Sequence, residues 1–283
     1  MTTMQDVLWR KLETQITTAA AALDAVLGVA VLDLSDGRSL LYHADFVFPT
    51  ASVIKIPILA ELYRQSGGAA SEPGAARLSD LYTMDAADLV EDSYILGGLT
   101  PGVTRLTLRD LATCMIAVSD NAATNVLIDR VGLDNVNRLL DSLSLPNTRL
   151  RRKMMDVTAA REGRENTSTP REMAQLLDGL YRGGVVQGDL RDDLLRVLAT
   201  RKDSFIPRRL PAETVVANKP GVLEGVRNDA GIVYGRRPFV LSVFTAYALD
   251  ELHAEAVIAD IALAAYRHFD QLGRATPYGR LMT

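Results

Sequence analysis

Ser52 and Lys55 stand three residues apart in Ser52-Val53-Ile54-Lys55, at the start of a run with helical patterning. Positions i and i+3 share a helix face, so this spacing brings the Lys55 ammonium within reach of the Ser52 hydroxyl. An unassisted serine is a poor nucleophile. A neighbouring amine that is neutral part of the time can take its proton, and N–H groups at a helix start favour developing negative charge. A second hydroxyl occurs in Ser119-Asp120-Asn121, behind TLRDLATCMIAV. Those residues suit a helix stop or N-cap. As chemistry, Ser119 can relay a proton to a leaving group while the Asn121 amide holds a substrate amide or the lysine. Lys219-Pro220-Gly221 follows the apolar TVVAN. It reads as a strand end with a turn, or as a cation and strand edge that grip a carboxylate and pair with an acylamido backbone.

Positioning these groups requires a particular layout. Leu8, Leu12 and Ile16 recur at helical spacing, which predicts an amphipathic N-terminal helix rather than a signal peptide. GVAVLDL alternates as a strand, and Asp36-Gly37 turns it into SLLYH. Beyond Ala51, SVIKIPILAELYRQ, TLRDLATCMIAVSD, NAATNVLIDRVG, LDNVNRLLDSL and PREMAQLLDGLYRGG read as helices, with a loop at 67–70. Pro57 cannot donate to the Val53 carbonyl and should bend the helix that carries Lys55. Strands return as TVVANK, AGIVYG and PFVLSVFTAY, and a helix over Glu251 to Phe269 closes the chain.

Strands at both ends with helices between them do not make a simple βαβ series. The expected fold class is α/β (an α+β sandwich). A mostly antiparallel sheet is built from both chain ends with flanking helices, and an all-α domain is inserted between. The expected boundaries are 1–50 with 208–283 for the α/β domain and 51–207 for the all-α domain. The active-site cleft is expected between them.

Composition narrows the function. The 283 residues are 48% hydrophobic and carry a net charge of −4 without basic blocks, which points to a small-molecule partner and not to nucleic acid. One cysteine, Cys114, excludes an internal disulfide and is expected as a buried small side chain. His43, His253 and His268 are too scattered for a zinc site, so no metal is expected. No run of about 18 apolar residues occurs, so no membrane span is expected. The chain is expected to be cytoplasmic or to have lost an export signal, with a monomer as the default.

Order and spacing carry more than any single motif. Ser-Asp-Asn begins 67 positions after Ser52, and Lys-x-Gly begins 100 positions after Ser119. That ordered set is the one found in penicillin-recognising serine enzymes. From about Val29 to Phe269 the chain resembles the class A β-lactamase superfamily. The resemblance implies that Ser52 attacks a lactam carbonyl to form an acyl-enzyme, with Lys55 in proton transfer and Ser119 shuttling a proton to the leaving nitrogen. It also implies that Asn121 binds the substrate side-chain amide, and that Lys219, beside Gly221, holds the substrate carboxylate. The implied oxyanion hole is the backbone N–H groups of Ser52 and Val222. No cofactor is required. The alternatives are an esterase or D-alanyl peptidase-like enzyme acting on another ester or amide, and a penicillin-binding protein with slow deacylation.

Two departures from the family pattern stand out. Pro220 replaces the hydroxyl residue of Lys-Thr-Gly, and Arg227 is a candidate replacement cation for the substrate carboxylate, or a surface arginine. The Glu-x-x-Leu-Asn element expected ahead of the Thr167-Ser168-Thr169-Pro170 turn is absent, and the usual count back reaches Lys153. Asp156 is the nearest carboxylate and the candidate water-activating base, or a partner for Arg151 or Arg152; Glu162 and Glu165 lie closer to the turn. Tyr94, in Glu91-Asp92-Ser93-Tyr94, is a candidate aromatic wall of the cleft edge or a half-buried loop residue.

Overall fold

Both chain ends contribute strands to one sheet. The computed structural model describes residues 3–68 and 74–282. In chain order these form α1 (Met4–Ala22), β1 (Val26–Asp33), β2 (Ser39–Tyr42), β3 (Phe48–Pro49), a 3-10 turn over Ala51–Ile54, α2 (Lys55–Gly67), β4 (Leu81–Thr83) and β5 (Arg105–Thr107). There follow α3 (Leu108–Ala117), α4 (Asn121–Val131), α5 (Leu133–Ser142), α6 (Val157–Arg161), β6 (Thr167–Ser168), α7 (Pro170–Arg182) and α8 (Gly188–Leu198). The chain finishes with β7 (Val215–Leu223), β8 (Val226–Tyr234), β9 (Phe239–Ala246) and α9 (Glu251–Arg274). Of the expected 67–70 loop, Gly67 ends α2 and Gly68 caps it; 69–70 lie outside the described residues.

The chain divides into two compact units. The first comprises Met1–Val53, Thr169–Asp178 and Asp203–Thr283. Its sheet has the order β2-β1-β9-β8-β7, with every neighbouring pair antiparallel. Trp9, Leu12 and Ile16 of α1 and Ile258, Ile261, Ala265 and Phe269 of α9 share a core with Val29, Val31, Leu241 and Val243. The opposite face is covered too. A Cβ on Gly28 would meet Phe48 at 2.7 Å and Pro170 at 2.8 Å. GVAVLDL therefore forms the expected strand, but β1 is buried on both faces over most of its length. Alternation is the mark of a strand with one wet face, and this one has none.

The second unit comprises Ile54–Ser168 and Gly179–Lys202. It contains α2 to α6, α8 and the end of α7. Tyr63 of α2 donates to Asp193 of α8 at 2.6 Å, and Arg109 of α3 grips the same carboxylate through Nε at 2.8 Å and Nη2 at 2.7 Å. Sequence reading missed α8, because GDLRDDLLRVL is dense in charge and its apolar stripe is confined to Leu194, Val197 and Leu198. The expected bend at Pro57 has no cause in the structure. The segment starts as a 3-10 turn and α2 begins only at Lys55, so Pro57 falls in the first helical turn, where N–H groups have no intrahelical partner.

Candidate active site

The nucleophile candidate sits on a strained turn of the first unit. Ala51 has φ 48°, a left-handed value costly for a residue with a Cβ, and Ser52 follows it in the 3-10 turn. Val53 N donates to Thr50 O at 3.1 Å, and Asn228 Nδ2 of β8 donates to Pro49 O at 2.9 Å, which fastens the approach to that turn. The β7 edge lies against the same turn. A Cβ on Gly221 would stand 2.6 Å from Thr50 O and 3.1 Å from Ser52 N. Only glycine fits there.

The register of β7 assigns its backbone groups. Pro220 is opposite Asp229 and Val222 is opposite Arg227. Proline has no N–H to give β8, so positions 220 and 222 belong to the non-bonded pairs and face the open edge. Arg227 N confirms this alternation from the other side, since it donates to Thr245 Oγ1 on β9 at 2.9 Å. Pro220 thus costs the ladder nothing, and the Val222 N–H faces away from β8. Lys219 is 1% exposed, with Nζ donating to Pro220 O at 3.1 Å.

Arg227 is not a spare cation. It is 8% exposed, and its guanidinium donates to Glu255 at 2.9 Å, to the Leu223 and Val226 carbonyls at 2.8 and 2.9 Å, and to Glu251. The arginine is a strut between β8 and α9, and its guanidinium is engaged by both.

In the second unit, Lys55 is fully buried. Its Nζ donates to Ser119 O at 2.7 Å, Ser119 Oγ at 2.9 Å and Asn121 Oδ1 at 2.8 Å. An ammonium has donors for each of these acceptors. Ser119 has φ 60°, and this left-handed kink between α3 and α4 directs both its oxygens at one amine. Asp120, between them, is structural. Its Oδ1 accepts from Ala123 N at 2.9 Å as the N-cap of α4, and Oδ2 accepts from Ile95 N and Leu96 N at 2.9 and 3.0 Å.

Asn121 Nδ2 donates to Glu91 O at 3.2 Å, and Asn121 N to Asp92 O at 3.2 Å, so the loop carrying Tyr94 is stitched to Ser-Asp-Asn. Tyr94 itself is 68% exposed and donates to Asp92 at 3.0 Å; that bond holds its phenol above the ordinary value. Cys114 is half-buried, and burial pushes its thiol up to about 11.

The segment from Arg149 to Thr167 closes as a loop whose ends exchange backbone bonds at 2.9 and 3.1 Å. Asn166 Oδ1 accepts from Arg151 N and Arg152 N at 2.7 and 3.1 Å, and Arg152 pairs with Glu165 at 2.7 Å. Asn125 of α4 fixes the middle of the loop, accepting from Met154 N at 2.8 Å and donating to Met154 O at 3.1 Å. Sequence reasoning missed Asn125, although its four-residue spacing from Asn121 on one helix face was a usable signal. Lys153 turns out to an ion pair with Asp129 at 2.7 Å. Asp156 is exposed and spends Oδ1 on the N-cap of α6, accepting from Ala159 N at 2.9 Å. Neither Arg151 nor Arg152 is its partner: Arg151 donates to Glu165 O and Thr167 Oγ1, and Arg152 binds Glu165. No helix among the described residues is long and apolar enough to cross a membrane.

The chain shares its sequence pattern and fold with known proteins. A family model described as "Beta-lactamase enzyme family" matches residues 11–269. The chain is 31% identical over 242 residues to a β-lactamase of Streptomyces fradiae, covering 83% of this chain and 78% of that one. A β-lactamase structure from Sphaerobacter thermophilus superposes with TM-score 0.81 at 32% identity, covering 91% of this chain and 96% of that one. A PBP-A variant solved as an acyl-enzyme complex with penicillin G has TM-score 0.81 at 26% identity, covering 92% and 97%.

Proposed function

We propose, for a chain that belongs to the beta-lactamase enzyme family, that it hydrolyses β-lactams through an acyl-Ser52 intermediate. The carrying observation is the Lys55 cluster, in which a fully buried amine touches both oxygens of Ser119 and the Asn121 amide. In the proposed reaction Ser52 Oγ attacks the lactam carbonyl and its proton passes to Lys55 Nζ. The bond from Lys55 to Ser119 is the relay. Ser119 gives its hydroxyl proton to the departing lactam nitrogen and regains one from Lys55, so the amide C–N bond breaks as the ester forms. The Ser52 and Val222 N–H groups hold the oxyanion. The close packing of Gly221 on the nucleophile turn, and a Val222 N–H directed away from β8, support that assignment. Lys219 binds the substrate carboxylate, Asn121 its side-chain amide, and Tyr94 supplies an aromatic wall. No metal or organic cofactor enters.

Deacylation separates this reading from a second. Hydrolysis needs a general base to activate water, and Asp156 is the candidate, with Oδ2 outside its capping bond. The outward course of Lys153 and the capping role of Asp156 favour, as the second reading, a penicillin-binding protein that is acylated and releases slowly. Turnover of a chromogenic cephalosporin, followed by intact-protein mass on the same sample, distinguishes them. Sustained turnover with little adduct is the expected result. A single burst with a persistent acyl mass establishes the second reading, and no adduct with no turnover removes both.

A further inference from the structure

The seam between α1 and α9 holds a hollow of about 570 Å³, none of whose lining residues belongs to the serine motifs. That volume falls in the range of sites for drug-sized ligands. Leu8, Leu12 and Ala264 give it an apolar floor, while Arg10, Lys11 and Arg267 ring it with positive charge. Among the described residues, no carboxylate lines it. The nearby Asp6 is paired with Arg38 at 2.7 Å, and Asp260, in the adjoining hollow along the same seam, is paired with Arg209. Among the described residues, Arg10, Lys11 and Arg267 have no acidic partner.

His268 is the second observation. It lines the hollow, is 6% exposed, and its buried Nε2 has no hydrogen-bond partner. The ring is held edge-on to Trp9 at 4.7 Å and to Phe269 at 5.0 Å, so it cannot swing away without opening the core. Cations around an apolar floor, with the His268 ring in its wall, are complementary to a flat apolar body that bears one negative group.

We infer that this hollow is a binding site for a small amphipathic organic anion of the aryl sulfonate or aryl carboxylate type, separate from the Ser52 chemistry. Calorimetric titration with 8-anilinonaphthalene-1-sulfonate tests it, read alongside the indole N–H resonance of Trp9, the chain's one tryptophan. One saturable site is expected, with the Trp9 resonance moving in step with occupancy. Lys11→Glu and Arg267→Glu should each weaken binding about tenfold or more. Arg105→Glu, an equal charge change at an exposed residue of β5, should leave it within about twofold. Ser52→Ala should bind like the parent. Absence of saturable binding, an unmoved Trp9 resonance, or equal weakening by Arg105→Glu overturns the inference.

Discussion

Lys55 illustrates how much one side chain depends on its neighbours. Burying an amine is costly unless its hydrogen bonds are met, and here Ser119 and Asn121 meet them. Lys55→Met keeps the bulk and discards the relay. It should lower the acylation rate by about a hundredfold or more, the scale of lost acid–base assistance, and stopped-flow adduct formation measures it. Ser52→Ala should abolish covalent labelling by penicillins while circular dichroism stays unchanged; labelling that persists identifies another nucleophile. Asp156→Asn tests the base. An amide oxygen still caps α6, so the fold should survive while deacylation slows. Parent-like turnover would exclude Asp156.

The β7 edge is the element on which the proposed oxyanion hole depends. Gly221→Ala would press a methyl within 2.6 Å of Thr50 O and displace the turn bearing Ser52. Acylation should fall by about tenfold or more, with only a small loss of thermal stability, since β7 keeps its pairing with β8. A melting curve and a burst assay on the same variant separate the two effects. Sequence reading could locate β7 and its Lys-x-Gly motif. It could not assign Arg227, because an arginine that braces β8 against α9 and one that greets a substrate look alike until Glu251 and Glu255 are found beside it.

Across the whole molecule, a half-buried aspartate and a buried histidine tie stability to pH. The hydrogen bonds from Arg109 hold Asp193 down to about 2 against burial, so its stabilisation is complete above about pH 4 and is lost as pH falls toward 2. Burial, aided by Arg237 and Arg38, lowers His268 to about 4. The unfolded chain takes that proton first, so stability is full above about pH 6.5 and declines as pH falls to 4. His268→Phe should flatten the decline between pH 6.5 and 4, whereas Asp193→Asn should remove only the loss below pH 4; melting temperatures across pH 2–8 measure both. The sequence by itself determined the family, the sheet built from both chain ends and the ordered serine motifs, because periodicity, turn residues and spacing are local properties of the chain. Tertiary structure alone decided that Pro220 costs the sheet no bond, that Arg227 is a strut, that Asp120 is a clasp, and that Asn125 holds the 149–167 loop. Each of those roles is defined by a partner distant in sequence, and folding alone supplies the partner.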